Sequence, residues 1–258
     1  FELRHPPDAR KLRAMQERIE ALQEKERAGY CYLANLCFRF DLILAPDFLG
    51  FLPFVQAAHR LYWPERFLCF SPEDFISIQS GRITTYPMKG TLSTDKPLDD
   101  LMLDPKETAE HHTVVDLLRN DLGRVARRVR VERFRYVEKV ERQKGSLYQT
   151  SSEISGQLLP VYRPRYGSLL AELLPAGSVT GAPKEETLEI LEELEDSPRD
   201  FFSGVGGFVR GEDLVSFVLI RFVDLKDHSY RCGAGITVYS NPFQECQEIL
   251  DKIYVPFA

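Results

Sequence analysis

Lys89, in Pro87-Met88-Lys89-Gly90-Thr91, follows Glu73, in Ser71-Pro72-Glu73-Asp74-Phe75, by sixteen positions. The lysine has apolar flanks (Ile83, Tyr86, Met88), and Gly90 directly after it lets a backbone or a ligand come close. A lysine amine is a useful nucleophile only when desolvation or a neighbouring cation lowers its pKa from about 10.4. Alone, Lys89 also reads as a surface lysine before a tight turn, and Glu73 as a surface turn residue. Four more carboxylates fall into two pairs. Glu107 and Glu110 stand three apart on one predicted helix, Glu245 and Glu248 on another, so each pair points from one helical face. Like charges at that spacing repel, and a hard cation among them would offset the repulsion; Mg²⁺ suits carboxylates that share the ion with substrate and water. Spacing alone equally allows Glu107 to complete a capping box and Glu245 to favour the first turn of its helix.

Three features suit anions. Gly233-Ala234-Gly235 interrupts a strand pattern, and small residues there let backbone N–H groups approach an anion. Gly177-Ser178-Val179-Thr180-Gly181 precedes a helix opening at Pro183, a start ready for a carboxylate or phosphate. It is not a nucleotide P-loop, since no Gly-Lys-Ser/Thr follows. Both segments also read as ordinary glycine turns. Arg221, inside the mostly apolar run Val215 to Val223, needs an anionic partner if buried, either from the protein or from a ligand.

Elements must hold these residues in place. Pro7 to Glu24 reads as an amphipathic helix with Leu12, Met15, Ile19 and Leu22 on one stripe. Tyr30 to Leu44, Arg66 to Ile78 and Arg82 to Met88 are β-rich. A helix starts at Pro105 with Asp104 as N-cap and runs through Leu118 or beyond. Arg130 to Glu141 and Gly145 to Ser151 look extended. Pro183 opens a helix to about Leu194, and Phe208 to Arg210 with Leu214 to Val223 suggest a hairpin turning at Gly211-Glu212-Asp213. Tyr230 to Tyr239 is a further strand, and Asn241 caps a final helix from Pro242. Strand groups with helices between support an α/β or α+β class.

At 258 residues the chain can bury a full core as one large domain or two small ones. Apolar content of 43% and charged content of 28% are ordinary for a globular enzyme. A net charge of −6 argues against nucleic-acid or anionic-membrane partners. The basic run Arg124 to Arg135 is interrupted by Glu132 and by Val125, Val129 and Val131, and reads as a solvated element, not a groove for phosphates. Five cysteines without a Cys-x-x-Cys pair suit reduced thiols, and no apolar run nears the ~20 residues of a membrane span. With no signal-peptide pattern, the expectation is a cytoplasmic protein.

The wording SPEDF, GRITTYPMKGT, DPKETAEHHTVVDLLRNDLGRV (Asp104 to Val125), LLPAGSVTGAPK (Leu173 to Lys184) and CGAGITVYSNPFQECQE (Cys232 to Glu248) resembles the chorismate-utilising enzymes. The match is in order from about Tyr30 onward, and looks most like the aminodeoxychorismate synthase component I branch. The resemblance implies an α+β fold of two antiparallel sheets packed face to face, with flanking helices and the active site in the cleft between two halves of one domain. That catalytic domain would span 1–258, with 1–29 as a helical lead-in. Relatives usually carry a further N-terminal region, so a chain starting at Phe1 reads as a short form or a fragment. The resemblance also implies Mg²⁺ on Glu107, Glu110, Glu245 and Glu248, and chorismate contacts at Gly90, Thr91, Ser178, Thr180, Gly233, Ala234 and Gly235. Arg221 becomes the clamp on a substrate carboxylate, with Lys252 as a second cation. In the implied mechanism Lys89 attacks C2, the 4-hydroxyl leaves with a proton from Glu73, and ammonia enters at C4 as the lysine departs. Burial would keep the acid protonated and the amine neutral. Ammonia would come directly or from a separate glutamine amidotransferase, since no glutaminase signature with a nucleophilic cysteine is present.

Departures from the family pattern are expected to matter. Gln149 stands in place of a histidine in Gln149-Thr150-Ser151-Ser152, and Phe202 where relatives often present a substrate-facing tyrosine. Leu33 occupies the position of a glutamine in aminating relatives and of a base-forming lysine in isochorismate and salicylate synthases, which counts against water addition. His111 and His112 read as a helix-surface pair. Two rivals remain. Anthranilate synthase component I adds ammonia at C2, and its members usually have alanine at the position of Lys89. The other rival is a non-catalytic chorismate-binding subunit, against which stand Lys89, Glu73 and both glutamate pairs.

Overall fold

Burial alternates along Leu33–Ile43 as a strand with one covered face requires: Ala34, Leu36, Phe38, Phe40 and Leu42 are buried, whereas Asn35, Arg39 and Asp41 are half-buried. The computed structural model describes residues 2–45, 47–140 and 146–255, residue 106 by its backbone alone. The protein is α+β, with two seven-stranded antiparallel sheets and flanking helices. The chain divides into two units, which carry one sheet each.

The first unit comprises residues 1–72, 179–204 and 218–258. Its sheet runs in the order Glu2–Leu3, Leu33–Ile43, Ser229–Ile236, Phe222–Asp224, Phe67–Cys69, Leu61–Trp63, with Gly181–Ala182 also paired to Leu33–Ile43. The helices Ala9–Arg27, Lys184–Leu194 and Pro242–Asp251 pack on it. Met15, Ile19, Leu22, Ile190 and Ile249 close a core over the even-numbered side chains of Leu33–Ile43. Directly opposed residues of an antiparallel pair share a face. Tyr230, Cys232, Ala234 and Ile236, opposite Phe40, Phe38, Leu36 and Ala34, therefore join that core. Gly233 and Gly235 fall on the other face, opposite Cys37 and Asn35.

The second unit comprises residues 73–178 and 205–217. Its sheet runs Val205–Arg210, Asp213–Val218, Asp74–Gln79, Arg82–Thr85, Leu147–Leu158, Met88–Ser93, and the long strand Ala126–Val140 also pairs with Leu147–Leu158. The helix Pro105–Val125 lies on these strands and buries Val114, Val115, Leu118, Leu122 and Val125. Its start is capped: Asp104 Oδ1 accepts from the Glu107 N–H at 3.0 Å, satisfying one of the donors every helix start leaves open. Ala126–Val140 is bulged between Arg127 and Arg130, Val131 and Arg133, and Arg133 and Tyr136. Arg128 (φ 54°) and Arg135 (φ 47°) adopt left-handed backbone within the first and last of these. The first bulge sets Arg127 opposite Gln157 and Arg130 opposite Ser155, so two arginines three apart share a face that regular alternation would deny them. As expected the run is solvated, with Arg124, Arg127, Arg128 and Arg130 exposed. Arg127, Arg128 and Arg130, with Arg82 and Arg163, line a cavity of about 570 Å³.

Most expected elements lie within a few residues of their observed bounds, including the caps at Asp104 and Asn241. The expected hairpin is Val205–Arg210 with Asp213–Val218, but its second arm stops short of Val223. Arg221 takes φ 52°, and Phe222–Asp224 pairs with Ser229–Ile236 and Phe67–Cys69 instead. Glu141 and Gly145, at facing ends of two expected strands, lie outside the described residues. No helix among the described residues is long and apolar enough to cross a membrane.

Candidate active site

In the second unit the strand Met88–Ser93 carries Lys89 at an irregular point. Its register against Leu147–Leu158 shifts between Met88 and Thr91, and Gly90 has φ 88°. A Cβ at residue 90 would fall 2.8 Å from Glu107 Oε2, so glycine is what lets this strand approach the helix carboxylates. The Lys89 ammonium lies 2.7 Å from Glu110 Oε2, with the Glu110 side chain 7% exposed and that of Lys89 27%. So dry a pair interacts more strongly than a surface pair. Lys89 thus has a carboxylate neighbour in place of purely apolar surroundings, and it must shed a proton before it can attack anything.

The backbone of Lys89 is held as well. Its carbonyl accepts from the Thr150 hydroxyl and from His111 Nδ1, the latter at 3.4 Å. His111 Nε2 lies 2.7 Å from Ser152 Oγ, which accepts the Arg135 N–H at 2.8 Å. A carbonyl can only accept, so Nδ1 carries the imidazole hydrogen and Nε2 accepts from the Ser152 hydroxyl. Burial pushes His111 down to about 4, more than the bond to the Lys89 carbonyl restores, so the ring is neutral at neutral pH. The Arg135 guanidinium donates to the Leu101 and Met102 carbonyls at 2.7 Å each and thereby ties off the short helix Asp99–Met102. Glu73 Oε1 accepts from the Ser178 hydroxyl at 2.6 Å, and Thr91 sits opposite Gln149 in the sheet.

The first unit holds the remaining candidates. Lys252 ends the helix Pro242–Asp251; its Nζ lies 2.6 Å from Glu248 Oε1 and donates to the Gly233 carbonyl at 3.1 Å. Glu245 is buried whereas Glu248 is exposed, so the two do not present one face equally. Ala234 turns its methyl into the core, so only its backbone can meet a ligand, as at Gly233 and Gly235 on the opposite face. Thr180 is buried, and its carbonyl accepts from Asn35 N–H at 2.8 Å. Arg221 lies between strands with its guanidinium carbon 5.2 Å from the Tyr254 ring centroid. Its buried Nε has no hydrogen-bond partner, and among the described residues no carboxylate comes within 4.0 Å of it. The Tyr254 side chain hydrogen-bonds the guanidinium, so its partners among the described residues are neutral.

The donor chemistry suits a hard divalent cation. Glu107 and Glu110 on one helix and Glu245 and Glu248 on the other offer carboxylate oxygens, and Gly90 leaves room at Glu107 Oε2. Among the described residues no three His, Cys, Asp or Glu gather closely enough to hold an ion. Each pair therefore offers two carboxylates, the number with which Mg²⁺ is commonly held when substrate and water fill its other positions.

Several expectations change. His111 is not on the helix surface but fully buried, while exposed His112 stacks 4.6 Å from Phe134. The signal was present in the sequence, since 111, 114, 115, 118 and 122 form one helical stripe. Phe202, at the position where the family pattern has a tyrosine hydroxyl, is 4% exposed and packs edge-on to Phe222. Leu33 is buried opposite Ala182. Thr150, Ser152 and Arg135 escaped notice because strand hydroxyls and bulges leave no spacing signature.

A family model for the chorismate binding enzymes matches residues 7–257. An "uncharacterized PabA-like protein" of Pasteurella multocida (strain Pm70) is 44% identical over 247 residues, 94% of this chain and 76% of that protein. Aminodeoxychorismate synthase component 1 of Klebsiella aerogenes is 32% identical over 92% of this chain, which spans 55% of the relative. Anthranilate synthase component 1 of Aquifex aeolicus is 37% identical over 70% of this chain and 38% of its own length. Among solved structures, anthranilate synthase component I from Streptococcus pneumoniae TIGR4 superposes with a TM-score of 0.80 at 29% identity, covering 94% of this chain and 57% of its own. With that match running over nearly every element described above, the chain belongs to the family of chorismate-binding enzymes.

Proposed function

We propose that the protein aminates chorismate at C4, giving 4-amino-4-deoxychorismate for 4-aminobenzoate and folate synthesis. The reading is supported above all by the place of Lys89 on an irregular strand against the helix carboxylates, where Glu110 Oε2, 2.7 Å from its Nζ, is positioned to take the proton that the ammonium must lose. A relative named aminodeoxychorismate synthase component 1, 32% identical, accords with this branch. Transfer of the ammonium proton to a carboxylate frees the Lys89 lone pair, and the amine bonds to C2. The ring double bond shifts and the 4-hydroxyl leaves as water with a proton from Glu73, which the Ser178 hydroxyl orients. Ammonia then bonds to C4, the C2–N bond breaks, Lys89 departs as the free amine, and the extra proton of the new amine returns to a carboxylate. A positioned acid of this kind contributes roughly 10²–10⁴-fold. Arg221 and Lys252 bind substrate carboxylate, with the Gly233, Ala234, Gly235 and Thr180 backbone and the Gly90-Thr91 turn shaping the site. Mg²⁺ would anchor the ring carboxylate, held by Glu107 with Glu110 or by Glu245 with Glu248. Ammonia comes from a separate glutamine amidotransferase in the cytoplasm.

Similarity to anthranilate synthase component 1 of Aquifex aeolicus gives the second reading, amination at C2 with loss of pyruvate. The deciding assay incubates the protein with chorismate, Mg²⁺ and ammonium chloride and identifies the product by mass and absorbance. Formation of 4-amino-4-deoxychorismate, abolished by Lys89→Ala and by chelation of the metal, is expected. Anthranilate would overturn the C4 assignment. No consumption of chorismate, even with an amidotransferase supplied, would leave a binding subunit.

A further inference from the structure

The cavity of the second unit takes no part in that chemistry. Its volume is about 570 Å³, and its lining holds five arginines and no carboxylate. Local backbone features gather the guanidiniums. The bulge turns Arg127 and Arg130 to one face, and Arg82 joins them because it too lies opposite Gln157. The two-residue turn Ser80-Gly81, with φ 51° and 78°, then brings Arg163 in: a Cβ at Gly81 would run into its guanidinium. Glu132 Oε1, 2.9 Å from Arg82 Nη2 and 2.8 Å from Arg130 Nε, offsets part of two of these charges. Arg127, Arg128 and Arg163 have, among the described residues, no carboxylate within 4.0 Å. In a chain of net charge −6, such a concentration of like charge calls for an anion among the side chains.

We propose that this cavity is a second ligand site, for a small, multiply charged oxyanion carrying phosphate or several carboxylates. Its size is that of a pocket for a small molecule, and guanidinium forks match such oxygens bidentately. Ser151, opposite Met88, and Gln157, opposite Arg82, lie six residues apart on Leu147–Leu158, roughly 20 Å along the strand. A ligand here therefore stays clear of Lys89.

Thermal unfolding and isothermal titration of the full chain test this, with sodium pyrophosphate and citrate each matched to NaCl of equal ionic strength. At saturation the preferred anion raises Tm by about 5 °C beyond the salt control. The stronger response, to pyrophosphate or to citrate, assigns phosphate or carboxylate chemistry. The doubly substituted Arg127→Gln/Arg163→Gln, altered only at exposed positions, binds at least about tenfold more weakly while its own Tm stays close to wild type. Lys89→Ala binds pyrophosphate as wild type does. No shift beyond NaCl, or equal binding by wild type and the double variant, overturns the proposal. Loss of binding in Lys89→Ala does so too, by moving the anion to the chorismate site.

Discussion

Lys89 is fixed at both ends, its ammonium by Glu110 and its carbonyl by Thr150 and His111. Such anchoring matters because a nucleophile misplaced by an ångström forfeits much of its advantage. His111→Phe keeps an aromatic ring in the same space but removes both imidazole nitrogens, leaving the buried Ser152 hydroxyl without its acceptor. The expected cost is about 1–3 kcal/mol, read as a lower urea midpoint at unchanged slope, with a parallel fall in chorismate turnover. An unchanged midpoint and rate would mean that these bonds position nothing. The types and spacing of Lys89, Glu73 and the glutamate pairs were legible from sequence, because each rests on a charged side chain in a recognisable wording. The neutral histidine under Lys89 was hidden by its polarity, although its place on the apolar stripe of Pro105–Val125 gave it away.

The helix Pro105–Val125 delivers Glu107, Glu110 and His111 together, and its entry is set by Asp104. Asp104→Ala should destabilise the protein by about 1 kcal/mol, the ordinary cost of a lost N-cap, measured as a shift in the urea midpoint. It should also weaken turnover more than an exposed change such as Glu172→Ala, since the first turn carries a proposed ligand. Periodicity located this helix, the final helix and most strands because long amphipathic runs leave a strong pattern. It failed where backbone departs from regularity. The bulges at Arg128 and Arg135 change which face each arginine occupies without changing composition, so a run that reads as interrupted charge becomes a lined cavity. Tyr166–Leu173 and Asp99–Met102 are too short to declare a period.

Across the whole molecule all five cysteines are buried. Burial pushes Cys31 and Cys246 up to about 11, Cys69 and Cys232 up to about 12, and Cys37 further still. Because the thiolate is the reactive form, an aromatic disulfide reagent at pH 8 should find no fast thiol in the folded protein and five in guanidinium chloride. A rapid native burst would contradict that burial. The chain path carries a different lesson. Residues 73–178 and 205–217 are two interruptions in the sequence of the first unit. The shorter one begins and ends at adjoining points, where Ser203 N–H donates to the Leu219 carbonyl at 3.0 Å and Leu219 N–H to that of Gly204 at 2.8 Å. The longer one does the same through side chains, Ser178 to Glu73 at 2.6 Å. In polymer language each is a ring with its neck tied, and closing a ring of about a hundred residues costs on the order of 4 kcal/mol of chain entropy. The knot on the larger ring is the very bond that orients the proposed acid. Position 73 therefore carries a topological duty beside its chemical one: any side chain that still accepts from Ser178 keeps the neck drawn, whether or not it can give up a proton.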